Sequence, residues 1–129
     1  METHTLNRTN VRRLVPKNAI GCYRLGDFDS EGRFVADYIG RSTRNLRNRL
    51  LDHASLSGKS AFQFVSLDSV REVFDTECLW FHLLRDQLTN RRHPDAPRHR
   101  VGLECRFCKA EHSVQQGQLR AMAEHQGVV

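Results

Sequence analysis

The chain has 129 residues, 39% of them hydrophobic, and a formal net charge of +5 from 20 basic and 15 acidic side chains. That length suits one domain with a modest core and a short appendage. No apolar run approaches a membrane span, and Met1-Glu2-Thr3-His4-Thr5-Leu6-Asn7-Arg8 lacks the apolar stretch of a signal peptide, so the expectation is a cytoplasmic protein with no membrane role.

In chain order, residues 1–15 are polar with one apolar group, Val11, Leu14 and Val15, suited to a short docking helix or a loose arm that Pro16 ends. Residues 18–25 and 34–41 are rich in aliphatic and aromatic side chains, and Gly26-Asp27-Phe28-Asp29-Ser30-Glu31-Gly32 separates them. A Gly/Asp/Ser loop between two such runs predicts a hairpin with a long turn. Alternation puts Tyr23 on the face of Gly21, and Tyr38 on the face of Phe34 and Ala36. Register decides which faces the two tyrosines share, and the residues leave that open. Ser42 or Thr43 suits the cap of a helix over 44–53. Leu46 and Leu50 make its core stripe, while Arg49 and His53, four apart, stand together on a flank. A Ser/Gly loop over 54–60 and a third strand over 61–67 follow.

Asp68/Ser69 caps a long helix, 70–88, whose stripe is Val70, Val73, Phe74, Trp80, Phe81, Leu84 and Leu88. Glu77 falls inside that stripe, three or four residues from Val73, Phe74, Trp80 and Phe81. A charge there needs a partner or a bound cation. The plain alternative is a Glu at the stripe edge, or one paired with an Arg. Residues 88–97 form an irregular basic segment in which Asn90 suits either a helix C-cap or a phosphate contact. Farther on, Cys105-x2-Cys108 is half of a tetrahedral zinc site with His112 as third ligand, and His93, His99, His125 or another chain would complete it. Two free thiols are the alternative. The four cysteines of an intracellular chain are not expected to form a disulfide framework. No Ser/His/Asp arrangement and no Walker-type glycine loop is present.

Arginine makes up 17 of the 20 basic residues. Its planar fork suits bidentate phosphate contacts, although the bias would also follow from genome composition. Local clustering says more: Arg41, Arg44, Arg47 and Arg49 come with no acid before Asp52, and Arg91, Arg92, Arg98 and Arg100 meet only Asp95.

Gly21-Cys22-Tyr23, Tyr38-Ile39-Gly40, Arg49, Glu77 and Asn90, in that order and spacing, resemble the GIY-YIG nuclease superfamily over about residues 16–97, with Cys22 in place of the usual Ile. The resemblance implies an α/β layer in which helices flank a three-stranded antiparallel sheet, ordered strand, strand, helix, strand, helix. The nuclease domain would span 16–100 and a Cys-x2-Cys/His extension 101–129. It also implies DNA hydrolysis, with RNA a weaker expectation, using one Mg2+ or Mn2+ held by Glu77. Arg49 would hold the phosphate, and Tyr23 would serve as base with Tyr38 orienting water or phosphate. His53, one turn beyond the Arg as in restriction-type relatives, would assist, unless it is merely an exposed helix residue. Asn90 would bind phosphate or metal-bound water. Arg41, Arg44, Arg47, Arg91 and Arg92 would contact DNA. A role in repair or restriction, a targeting partner protein or self-association would complete the picture. The alternative is a non-catalytic nucleic-acid-binding module on the same fold, with or without zinc.

Overall fold

The computed structural model describes residues 1–90, 92–97 and 102–108. The elements are β1 (His4–Thr5), α1 (Arg8–Leu14), β2 (Ile20–Phe28), β3 (Phe34–Ser42), α2 (Leu46–Leu56), β4 (Ala61–Leu67) and α3 (Val70–Leu84), the last running into a 3-10 turn, Arg85–Gln87. The sheet is antiparallel throughout and ordered β1-β4-β2-β3. It therefore has four strands, one more than expected. The extra strand pairs His4 with Phe62 and Thr5 with Ala61. Two residues carry no readable alternation, so nothing in their pattern announced them.

Helices cover both faces of the sheet. On one face, Val11 and Val15 at α1, and Leu46 and Leu50 of α2, pack with Tyr23, Leu25 and Phe62. On the other, Val73, Trp80 and Phe81 of α3 pack with Cys22 and Ile39. Each fully buried Leu or Phe side chain in these layers contributes about 1.5–3 kcal/mol. The helix starts are capped by side chains that accept from exposed backbone N–H groups. Asn7 accepts from Asn10, and Asn45 accepts from Asn48 at 3.1 Å. Ser42 instead accepts from the Asn45 N–H at 3.0 Å, which fixes the cap residue itself. At α3 Ser69 accepts from the Glu72 N–H, and the Glu72 carboxylate accepts from the N–H of Asp68, one residue before the cap.

A bulge in β3 corrects one face assignment. Tyr38 lies opposite Leu25 and Ala36 opposite Gly26, so Asp37 is the extra residue. Leu25 and Gly26 are neighbours pointing to opposite faces, so Tyr38 and Ala36 do not share one. Tyr38 instead shares the α1/α2 face with Tyr23. As the outer strand, β3 would expose unpaired backbone. Residues 87–90 cover it: Gln87 Nε2 donates to Ala36 O, Thr89 N–H to Asp37 O, and Asn90 pairs with both backbone groups of Ile39.

α3 is buried around most of its circumference from Val73 to His82. Its outer face, Phe74, Cys78 and Leu79, is covered by Leu103 and Phe107. Among the described residues no helix is long and apolar enough to cross a membrane.

Candidate active site

The cleft lies at the β3 edge, where Gly40 supplies no side chain between the two helical layers. A Cβ on Gly40 would stand 2.3 Å from Tyr23 Oη, so only glycine lets the Tyr23 ring lie across the strand. Tyr23 and Tyr38 stack with ring centroids 6.4 Å apart. Arg49 of α2 reaches the cleft from one layer and Glu77 of α3 from the other, and Asn90 and residues 92–95 close its far side. The space they enclose is about 330 Å3 and open to solvent.

Tyr23 is 2% exposed, and its hydroxyl lies 2.8 Å from His53 Nε2. Burial is the largest influence on the phenol and raises its pKa far above the usual range; Tyr38 adds to this, and Arg49 opposes it. Burial and then the Arg49 charge hold the His53 imidazolium below its ordinary range. In the Nδ1–H tautomer of a neutral imidazole, His53 Nε2 carries the lone pair and accepts from the Tyr23 hydroxyl. The tyrosine expected as base is thus coupled to a better proton acceptor.

Glu77 is 8% exposed. Burial pushes its carboxyl up, and Arg41 pulls it back. Arg41 Nη1 donates to Glu77 Oε1 at 2.9 Å, and its Nη2 donates to the Asp95 carbonyl. The cation that meets Glu77 is therefore Arg41, one of the arginines assigned to DNA. The other carboxylate oxygen has no hydrogen-bond partner among the described residues.

The remaining site residues divide. Asn90 lines the cleft, but its amide is committed: Oδ1 accepts from Ile39 N–H at 3.3 Å and Nδ2 donates to Ile39 O at 2.7 Å. It completes the edge of β3 instead of capping a helix. Arg47 points away from the cleft and donates to the carbonyls of Val15 and Arg12 at 2.7 and 2.9 Å, tying α2 to α1. Arg44 is exposed, and Arg92 is an exposed residue of the cleft rim paired with Asp95. Arg91, His99 and His112, with residues 98–101 and 109–129, lie outside the described residues.

A second constellation sits beyond the cleft. His82, His93, Cys105 and Cys108 bring four donor atoms within 4.8 Å of one another, a group able to hold a metal ion. Cys105 and Cys108 belong to it as expected, and His93 was among the candidates for the remaining places. His82 was missed because a His between Phe81 and Leu83 in an apolar helix reads as core. The available signal was a Cys pair lacking two ligands, with a buried His upstream. No family model, curated protein or solved structure matches the chain.

Proposed function

We propose that the chain is a metal-dependent endonuclease of the GIY-YIG type, hydrolysing phosphodiester bonds in DNA. One observation carries the proposal: Tyr23, Tyr38, Arg49 and Glu77, drawn from two strands and two helices, meet in a single open cleft.

The cleft suits a small hard cation. Such ions bind through one or two carboxylates and keep several waters, and Glu77 offers an unpartnered oxygen beside open space. Bound there by Glu77, Mg2+ or Mn2+ would polarise the scissile phosphate and offset charge on the leaving oxygen. The chain's own groups supply the rest. Arg49 is exposed at the cleft and free to hold a phosphate oxygen as charge builds on it. Tyr23 Oη accepts a proton from the attacking water as its own proton passes to His53 Nε2. The water oxygen bonds to phosphorus, the bond to the leaving sugar oxygen breaks, and solvent protonates that oxygen. Tyr38, stacked on Tyr23, orients the water or phosphate. Arg44, Arg92 and Arg91 add phosphate contacts that position the strand.

The Arg41–Glu77 pair favours a second reading, a binding module without chemistry, because an arginine already balances the carboxylate. Cleavage of plasmid and branched DNA with Mg2+ or with EDTA separates the two. Mg2+-dependent nicking is expected, and Arg49→Ala is expected to reduce it by about two to three orders of magnitude. Binding without cleavage under every metal condition would leave the binding module.

A further inference from the structure

The His/Cys group at the end of α3 has no part in the cleft chemistry, and its geometry calls for a central cation. His82 Nε2 lies 3.4 Å from Cys105 Sγ and 3.6 Å from Cys108 Sγ, while His93 Nε2 lies 3.4 Å from Cys108 Sγ. Hydrogen bonding accounts poorly for this pattern. An imidazole Nε2 has one proton or one lone pair, yet that of His82 faces two sulfurs. A thiol donates one proton, so Cys108 donates to at most one of the two ring nitrogens it faces. Tetrahedral zinc, with Zn–S of about 2.3 Å and Zn–N of about 2.05 Å, separates sulfur from nitrogen by about 3.6 Å. The three separations fall close to that value.

Outer contacts prepare the donors for a metal. His93 Nδ1 lies 2.8 Å from the Pro94 carbonyl, which can only accept. The proton therefore sits on Nδ1, and Nε2 presents its lone pair to the centre. The Phe107 N–H donates to Cys105 Sγ at 3.4 Å, an outer contact that orients this sulfur.

The ligands also join separate parts of the molecule. His82 belongs to α3, His93 to the segment that closes the cleft, and the cysteines to the segment covering the outer face of α3. Both segments lack strands. Residues 102–108 are attached by the buried Phe107 and an Arg106–Asp75 ion pair of 3.1 Å. Two residues after His93, the Asp95 carbonyl accepts from Arg41, whose other nitrogen holds Glu77.

We propose that His82, His93, Cys105 and Cys108 hold a structural Zn2+ that staples residues 92–97 and 102–108 onto α3 and so fixes the outer wall of the cleft. Two imidazoles and two thiolates close the tetrahedron and leave no position for substrate, as in structural zinc sites. The zinc site stands independently; its importance to the cleft rests on the endonuclease reading.

The test uses the full chain purified under metal-replete conditions. Elemental analysis is expected to find stoichiometric zinc in the parent and a loss of it in Cys108→Ser. Parent protein stripped by a chelator and refilled with Co2+ is expected to show intense tetrahedral ligand-field bands with thiolate charge transfer. Trypsin is expected to cut at Arg92 and Arg106 about tenfold faster after stripping, with Zn2+ restoring protection. Parent protein without zinc, or a weak octahedral Co2+ spectrum, would overturn the site. Zinc whose removal leaves trypsin cutting unchanged would overturn the staple. DNA cleavage by the same samples at constant Mg2+ separates the two readings. Loss on stripping and recovery with Zn2+ support the link to the cleft, and full activity without zinc refutes it. Zinc-loaded, protease-resistant protein that never cleaves DNA leaves the staple standing and defeats the endonuclease.

Discussion

The contact between Tyr23 and His53 determines how the proposed site responds to pH. A phenol raised by burial does not ionise near neutrality, so its usefulness depends on an imidazole able to take its proton. That imidazole must be neutral, and burial together with Arg49 keeps it so below the ordinary value of about 6.5. Cleavage should therefore hold steady down through pH 6.5 and fall only in more acid solution, as His53 protonates. Stability has the same sign. The unfolded chain binds the proton first, so His53 favours folding less as pH falls from about 6.5 through its depressed folded value. Tyr23→Phe removes the relay and should lower cleavage by about two orders of magnitude or more, within the range for acid–base groups. A pH–rate profile of parent and His53→Ala checks the assignment: an unchanged acid limb in an active His53→Ala variant would remove His53 from the relay.

At the scale of elements, much of the molecule was legible before its structure was known. The β2–β3 hairpin, α2, β4 and α3 follow from period-two and period-3.6 patterns separated by Gly, Asp and Ser. What escaped depends on contacts distant in sequence. The strand at His4–Thr5 exists because β4 offers an edge, and the bulge at Asp37 reverses a face that simple alternation assigns. Arg47 and Asn90 were read by residue type as phosphate ligands, yet each satisfies backbone groups of another element. This distinction is measurable in DNA binding. Arg49→Ala and Arg92→Ala should each reduce the slope of log affinity against log salt by about one, the loss of one phosphate contact. Arg47→Ala should leave that slope unaltered and instead lower stability by about 1–3 kcal/mol, by freeing α1 from α2. An Arg47→Ala slope change equal to that of Arg49→Ala would return Arg47 to the interface.

At the scale of the whole molecule, the sheet edge at Gly40 is the meeting point of both layers. The buried carboxylate in α3 was legible as an anomaly from its place in an apolar stripe. Its neighbour was not, because Arg41 reaches it from β3, 36 residues away. The Arg41 pair makes Glu77 stable as an anion without a metal, so a divalent ion must bind beside an existing ion pair. Glu77→Gln tests this most directly, since glutamine preserves the shape and an oxygen for Arg41 while removing the charge a cation needs. Cleavage and DNA binding should be measured side by side for parent and variant while Mg2+ is titrated. Cleavage is expected to collapse at every Mg2+ concentration, with folding retained and DNA binding preserved through the exposed arginines. A folded Glu77→Gln protein that cuts DNA as fast as the parent throughout the titration would contradict a Glu77-held metal and the mechanism built on it.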